Sequence, residues 1–229
     1  MATFVLVHGA GDSAWYWHLV APRLQRAGHQ VATPECPTGA STLAEWTRRV
    51  VEAGRSAPRP LVVVAQSFGA FPATVAADRL GADLLVLVAG MVPRPGESPD
   101  DWWTATAYTE SGAPTGLGIF ETFLHDVDRE IAEEALSRGR DATLTDLDQP
   151  VPLADWPAVP TRYVLGSEDR FFPASWLRRV VEDRLGIEPD VLPTGHCPAL
   201  SRPEELAALL TSYLPSGDGQ TLDTTPLAP

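Results

Sequence analysis

The segment Leu61-Val-Val-Val-Ala-Gln-Ser-Phe-Gly-Ala-Phe constrains the fold more than any other part of the chain. Its apolar residues run on with no polar alternation, the pattern of a strand buried on both faces, and a helical stretch, Phe68–Leu80, follows at once. Thr3–Val7 and Leu84–Ala89 repeat that pattern, while Gln30–Thr33, Arg162–Leu165 and Pro189–Leu192 are weaker strand signals. Helical patterns lie between them at Ala14–Arg26, Ser41–Gly54, Pro173–Leu185 and Pro203–Leu214. Thr42 and Glu45 have capping-box spacing, and Pro203 suits a first helical position. Strands alternating with helices predict an α/β fold, a three-layer sandwich with a mainly parallel six-stranded sheet. Ligands of such sheets bind beyond the carboxyl ends of the strands, so the residues just after each strand hold the chemistry.

One stretch breaks the alternation. Met91–Trp156 has no convincing strand, many aromatic residues and one clear amphipathic helix near Asp128–Ser137. An insertion of that length between core strands reads as a functional lid. The expected organisation is therefore a single domain. Its core is 1–90 and 157–215, its helical lid or cap is 91–156, and a Gly/Pro/Thr-rich tail at 216–229 is expected to be disordered. The 229 residues suffice for one sizeable core. A net charge of −13 repels phosphate backbones, which argues against a nucleic-acid partner. No apolar run approaches the ~20 residues needed to cross a bilayer, and the start MATFVLVHG lacks a basic, then apolar, leader pattern. A cytoplasmic location without a membrane partner is the expectation; oligomeric state is left open. Cys36 and Cys197 do not make a disulfide framework, and no residues have metal-ligand spacing, so neither metal nor cofactor is expected.

Ser67 stands between a buried strand and a helix, where a nucleophilic serine needs a tight turn and small neighbours. Ala65 and Gly69 flank it at two residues on either side, with alanine in place of the first glycine of G-x-S-x-G. A serine there is also a favoured helix cap, so the motif draws its force from the rest of the chain. The first strand ends in His8-Gly-Ala-Gly. That loop and the residue after the serine would supply the backbone N–H groups of Ala10 and Phe68 to an oxyanion. The base must follow the serine and sit after a late strand. His196, in Pro193-Thr-Gly-His-Cys-Pro, meets both conditions, whereas His125, in Phe-Leu-His-Asp, reads as a plain surface residue. The acid belongs after the penultimate strand, which gives Asp169 with Glu168 as fallback; the loop holding Glu97 and Asp100 is a less supported site. The aromatic residues Phe71, Trp102, Trp103, Phe120, Phe123, Phe171 and Phe172 are candidate pocket liners, although lid core is the alternative for several.

Phe4-Val-Leu-Val-His-Gly-Ala-Gly-Asp-Ser-Ala-Trp-Tyr-Trp, then Ala27-Gly-His-Gln-Val, Ala65-Gln-Ser-Phe-Gly, Gly166-Ser-Glu-Asp and Gly195-His, resembles the compact esterase branch of the α/β-hydrolase superfamily. That branch includes plant methylesterases and hydroxynitrile lyases. The resemblance covers the core from residue 4 to about 212, but not the lid or tail. It implies Ser67, Asp169 and His196 as triad and Ala10 and Phe68 as oxyanion donors. Similar hydroxynitrile lyases carry a hydroxyl residue and a lysine where this chain has Ala10 and Cys197, which favours ester hydrolysis. The expected activity is cleavage of a small or medium apolar carboxylic ester through an acyl-enzyme, with a small molecule as partner. Lyase chemistry, carbon–carbon hydrolysis on the same triad, or a receptor with little turnover remain alternatives.

Overall fold

The computed structural model describes residues 1–140 and 142–215, so the tail at 216–229 lies outside the described residues. Six strands make the main sheet: β1 (Thr3–Val7), β2 (Gln30–Ala32), β4 (Leu61–Gln66), β5 (Leu84–Val88), β7 (Thr161–Gly166) and β8 (Asp190–Leu192). Two more, β3 (Gly39–Ser41) and β6 (Ala142–Leu144), pair apart from it. The helices are α1 (Ala21–Arg26), α2 (Leu43–Gly54), α3 (Ala70–Leu80), α4 (Pro99–Ala105), α5 (Ile119–Phe123), α6 (Arg129–Arg138), α7 (Ala174–Leu185), α8 (Pro198–Ser201) and α9 (Pro203–Ser212).

The main sheet has the order β2-β1-β4-β5-β7-β8, and every pairing in it is parallel. Both faces are buried, which is why the strands lack polar alternation. In β4, Leu61, Val63 and Ala65 join the cluster under α2, α3 and α7. Val62 and Val64 join the opposite cluster with α1, α8 and α9. Removing a fully buried valine or leucine from water contributes roughly 1.5–3 kcal/mol each, and these strands are made of little else. The architecture is the three-layer α/β sandwich around a six-stranded sheet that the sequence implies.

Two expectations are corrected. Ala14–Arg26 is not one helix but a 3-10 turn, Ala14–Trp17, followed by α1. Pro22, in the first turn of α1, has no N–H to give and would clash within a continuous helix. The insertion also holds a strand after all. β6 pairs in parallel with β3, Gly39 to Ser41 against Ala142 to Leu144. Three residues each, with about a hundred residues of chain between them, give no periodicity to read.

The insertion is tied to the core at both ends. Near its start, Glu97 and Arg184 of α7 form a bidentate pair with side chains 8% and 1% exposed. Arg184 also donates to the carbonyl of Val92 and lies over the ring of Trp102. Near its end, the Asp146 carboxylate accepts from the Leu43 N–H at 2.9 Å, beside the Thr42/Glu45 capping box of α2. Among the described residues, no helix is long and apolar enough to cross a membrane.

Candidate active site

The turn after β4 puts Ser67 at φ 51, in the left-handed region that a residue with a side chain rarely adopts. The strain aims Oγ off the sheet's carboxyl edge. The turn closes because Gly69 has no Cβ: one built there would overlap the carbonyl oxygen of His8. Ala65, in place of the usual elbow glycine, is fully buried in β4 opposite Val7. His196 follows β8 and Asp169 follows β7, so adjacent parallel strands deliver both to the same edge as Ser67.

There the three side chains meet. The Nδ1–H of His196 donates to Asp169 Oδ2 at 2.8 Å, and Nε2 lies 3.0 Å from Ser67 Oγ, which is placed to donate to it. The other oxygen of Asp169 accepts two backbone N–H groups, from Phe171 at 2.8 Å and Phe172 at 2.9 Å. All three residues are buried, with Ser67 the most exposed at 9%. The fallback acid Glu168 is exposed, and Glu97 is committed to Arg184.

The first-strand loop sits across from the serine. The Cys36 N–H donates to His8 Nε2 at 3.1 Å, so the hydrogen of this ring is on Nδ1 and donates to the carbonyl of Gly9 at 2.8 Å. Burial lowers the His8 pKa, in keeping with a neutral ring. Gly9 C=O and Ala10 N–H belong to one peptide plane, so the His8 bond also fixes the direction of the Ala10 N–H. Neither that N–H nor the Phe68 N–H donates to an acceptor among the described residues. Gln66, fully buried, donates from Nε2 to the His196 carbonyl at 3.2 Å and so links serine turn and base loop.

The aromatic candidates divide. Phe123, Phe171 and Phe172 face the His196 ring at 5.3, 5.2 and 5.2 Å between centroids. Trp102 and Phe71 are fully buried packing residues, and the Trp102 indole donates to the carbonyl of Val92. Trp103 packs edge-on against Trp102 and Tyr108, and Phe120 rests on the α1/α9-side cluster. The Cys197 thiol is pushed well above its ordinary range by burial and then by Asp12, Asp169 and Asp126, which leaves it a poor nucleophile. His125 is not the plain surface residue its sequence suggests: its Nε2–H donates to the carbonyl of Glu168 at 3.1 Å. Gln66, His125 and the neighbouring Asp126 are the residues sequence reasoning missed, since their contacts join loops far apart in the chain. Among the described residues, no group of His, Cys, Asp and Glu is arranged to hold a metal ion.

Fold and constellation together define a hydrolase-type scaffold with a buried serine, histidine and aspartate in hydrogen-bonded sequence. The chain matches the alpha/beta hydrolase family over residues 4–209 and belongs to that family. It is 25% identical over 255 residues to the alpha-hydroxynitrile lyase of Arabidopsis thaliana, spanning 92% of this chain and 98% of that protein. It is 24% identical over 245 residues to methylesterase 7 of the same plant, spanning 90% and 94%. The crystal structure of polyneuridine aldehyde esterase superposes with a TM-score of 0.80 at 21% identity, covering 93% of this chain and 98% of that one.

Proposed function

We propose that the protein hydrolyses small or medium apolar carboxylic esters through an acyl-enzyme on Ser67. The observation that carries this reading is the unbroken run of contacts from Asp169 through His196 to Ser67 Oγ. In the first step the Ser67 proton passes to His196 Nε2 as Oγ bonds the carbonyl carbon, and the C=O electron pair moves onto oxygen. The N–H groups of Ala10 and Phe68 stabilise that oxyanion. Collapse of the intermediate breaks the bond to the alcohol, which leaves with the proton from Nε2. Water then repeats the cycle and releases the acid. Asp169 stays a hydrogen-bond acceptor throughout, orienting the ring and stabilising the imidazolium.

The half-buried rings of Phe123 and Phe171 beside His196 support an apolar substrate; Phe172, fully buried, backs the imidazole from the core. The test is a panel of p-nitrophenyl esters of graded chain length with wild type and Ser67→Ala. Turnover of the shorter esters, lost by several orders of magnitude in the variant, is expected. Full turnover by Ser67→Ala sinks the assignment. Hydroxynitriles in the same assay separate ester hydrolysis from lyase chemistry.

A further inference from the structure

We propose that His125 and Asp126, adjacent residues of the insertion, form a strap that positions the base and acid loops for the reaction; this rests on the serine-hydrolase reading. Asp126 Oδ2 accepts the Gly195 N–H at 2.7 Å and the Thr194 hydroxyl at 3.0 Å, the two residues that precede His196. Thr194 Oγ1, its hydrogen given to Asp126, accepts from the Ser201 hydroxyl at 2.6 Å, so the base loop is also tied to α8, which follows the histidine. His125 Nε2–H donates to the carbonyl of Glu168, the residue preceding Asp169. On the other side of the acid, Arg170 donates to the Glu121 carbonyl at 3.0 Å.

One short segment, Glu121 to Asp126, therefore touches residues flanking Asp169 and those leading into His196. Its Phe123 ring also packs on the imidazole. The contact is close by construction. A Cβ at Gly195 would lie 2.6 Å from Asp126 Oδ1 and 2.9 Å from His125 Nε2. Asp126 Oδ1 is itself buried with no hydrogen-bond partner. Burying an unpaired carboxylate oxygen costs stability, so what this carboxylate contributes lies in the two bonds made by Oδ2. This part of the insertion is thus a fixed support of the site rather than a swinging cover. It acts through His196 and Asp169 and need not touch substrate.

The test compares kcat, KM and the rate of covalent labelling by a small fluorophosphonate in wild type, Asp126→Ala, Asp126→Asn and Thr194→Val. Misplacing a reacting group by about 1 Å costs on the order of 10²-fold in rate. Asp126→Ala is expected to lose activity on that scale in kcat and labelling, with KM little changed. Asp126→Asn keeps an amide oxygen able to accept both bonds and is expected to recover most of the loss, which mere packing damage would not predict. If Asp126→Ala does not fold, Thr194→Val removes the hydroxyl bond to Asp126 together with the Ser201 contact, leaves the Gly195 bond in place, and is expected to lower kcat several-fold at constant KM. Wild-type kcat and labelling in Asp126→Ala, or in Thr194→Val where it stands in, overturn the strap; so does a loss confined to KM. Failure of wild type to be labelled at Ser67 overturns the serine-hydrolase reading instead.

Discussion

At the scale of single residues, the partners of Asp169 limit how a substituted side chain can sit, and the proposed mechanism turns that into a prediction. Its Oδ1 is held by two backbone N–H groups, so an asparagine there would keep its carbonyl oxygen on that side. The amide NH2 would then face His196 Nδ1 and force the hydrogen of the ring onto Nε2, toward Ser67. Asp169→Asn is expected to leave the fold intact and to lower kcat by on the order of 10⁴-fold, measured on the ester that wild type turns over best. Asp12 makes a different prediction. Burial pushes its carboxyl up to about 7 from an ordinary 3.8, with His196 pulling back the other way. Between about pH 4 and about pH 7 the folded protein therefore holds a proton that the unfolded chain has given up. Stability falls as pH rises through that window, and the loss is complete above it. Asp12→Asn removes the titration, so its Tm should exceed that of wild type at pH 8, with the advantage shrinking as pH falls to 4. An advantage of equal size at both pH values would contradict the assignment.

At the scale of elements, the core was legible and the joints were not. The non-alternating runs at Thr3–Val7, Leu61–Ala65 and Leu84–Ala89 mark strands packed on both sides, and the structure places strands there within a residue. Ser67, His196 and Asp169 were legible because each must follow a strand end, and a parallel sheet has one carboxyl edge. What escaped is what no period encodes. The β3–β6 pairing, the Asp146 bond to α2 and the His125–Asp126 contacts each join segments tens of residues or more apart. The Glu97–Arg184 pair belongs with them. Arg184→Met strands Glu97 among buried groups and is expected to cost about 3–5 kcal/mol, read by urea unfolding. Adding Glu97→Met should return much of that stability, since an apolar pair carries no desolvation penalty. No recovery in the double variant would show that the pair does more than neutralise itself.

At the scale of the whole molecule, the insertion is held on either side of one loose stretch. Before it, the carbonyl of Thr106 accepts from Trp176 Nε1 at 2.9 Å and the Tyr108 hydroxyl donates to the Phe171 carbonyl at 3.0 Å. After it come the contacts of Glu121, His125 and Asp126. Between them, residues 112–118 include three glycines and the exposed Leu117, and among the described residues no hydrogen bond carries them to the core. A protease site placed between Gly116 and Leu117 should therefore be cut without separating the halves. The nicked protein is expected to co-elute as one species and to keep its fluorophosphonate labelling; dissociation would refute this.

The order of the main sheet has a temporal consequence. β5 lies directly against β7, yet more than seventy residues of chain intervene between Val88 and Thr161. Registering such neighbours demands closure of a long loop before any reward arrives, which makes the search slow. Because Asp169 and His196 hang from the far side of that junction, the proposed chemistry requires it to have zipped first. Gain of covalent reactivity at the serine during renaturation thus serves as a stopwatch for the final event of maturation, lagging the early recovery of helical signal.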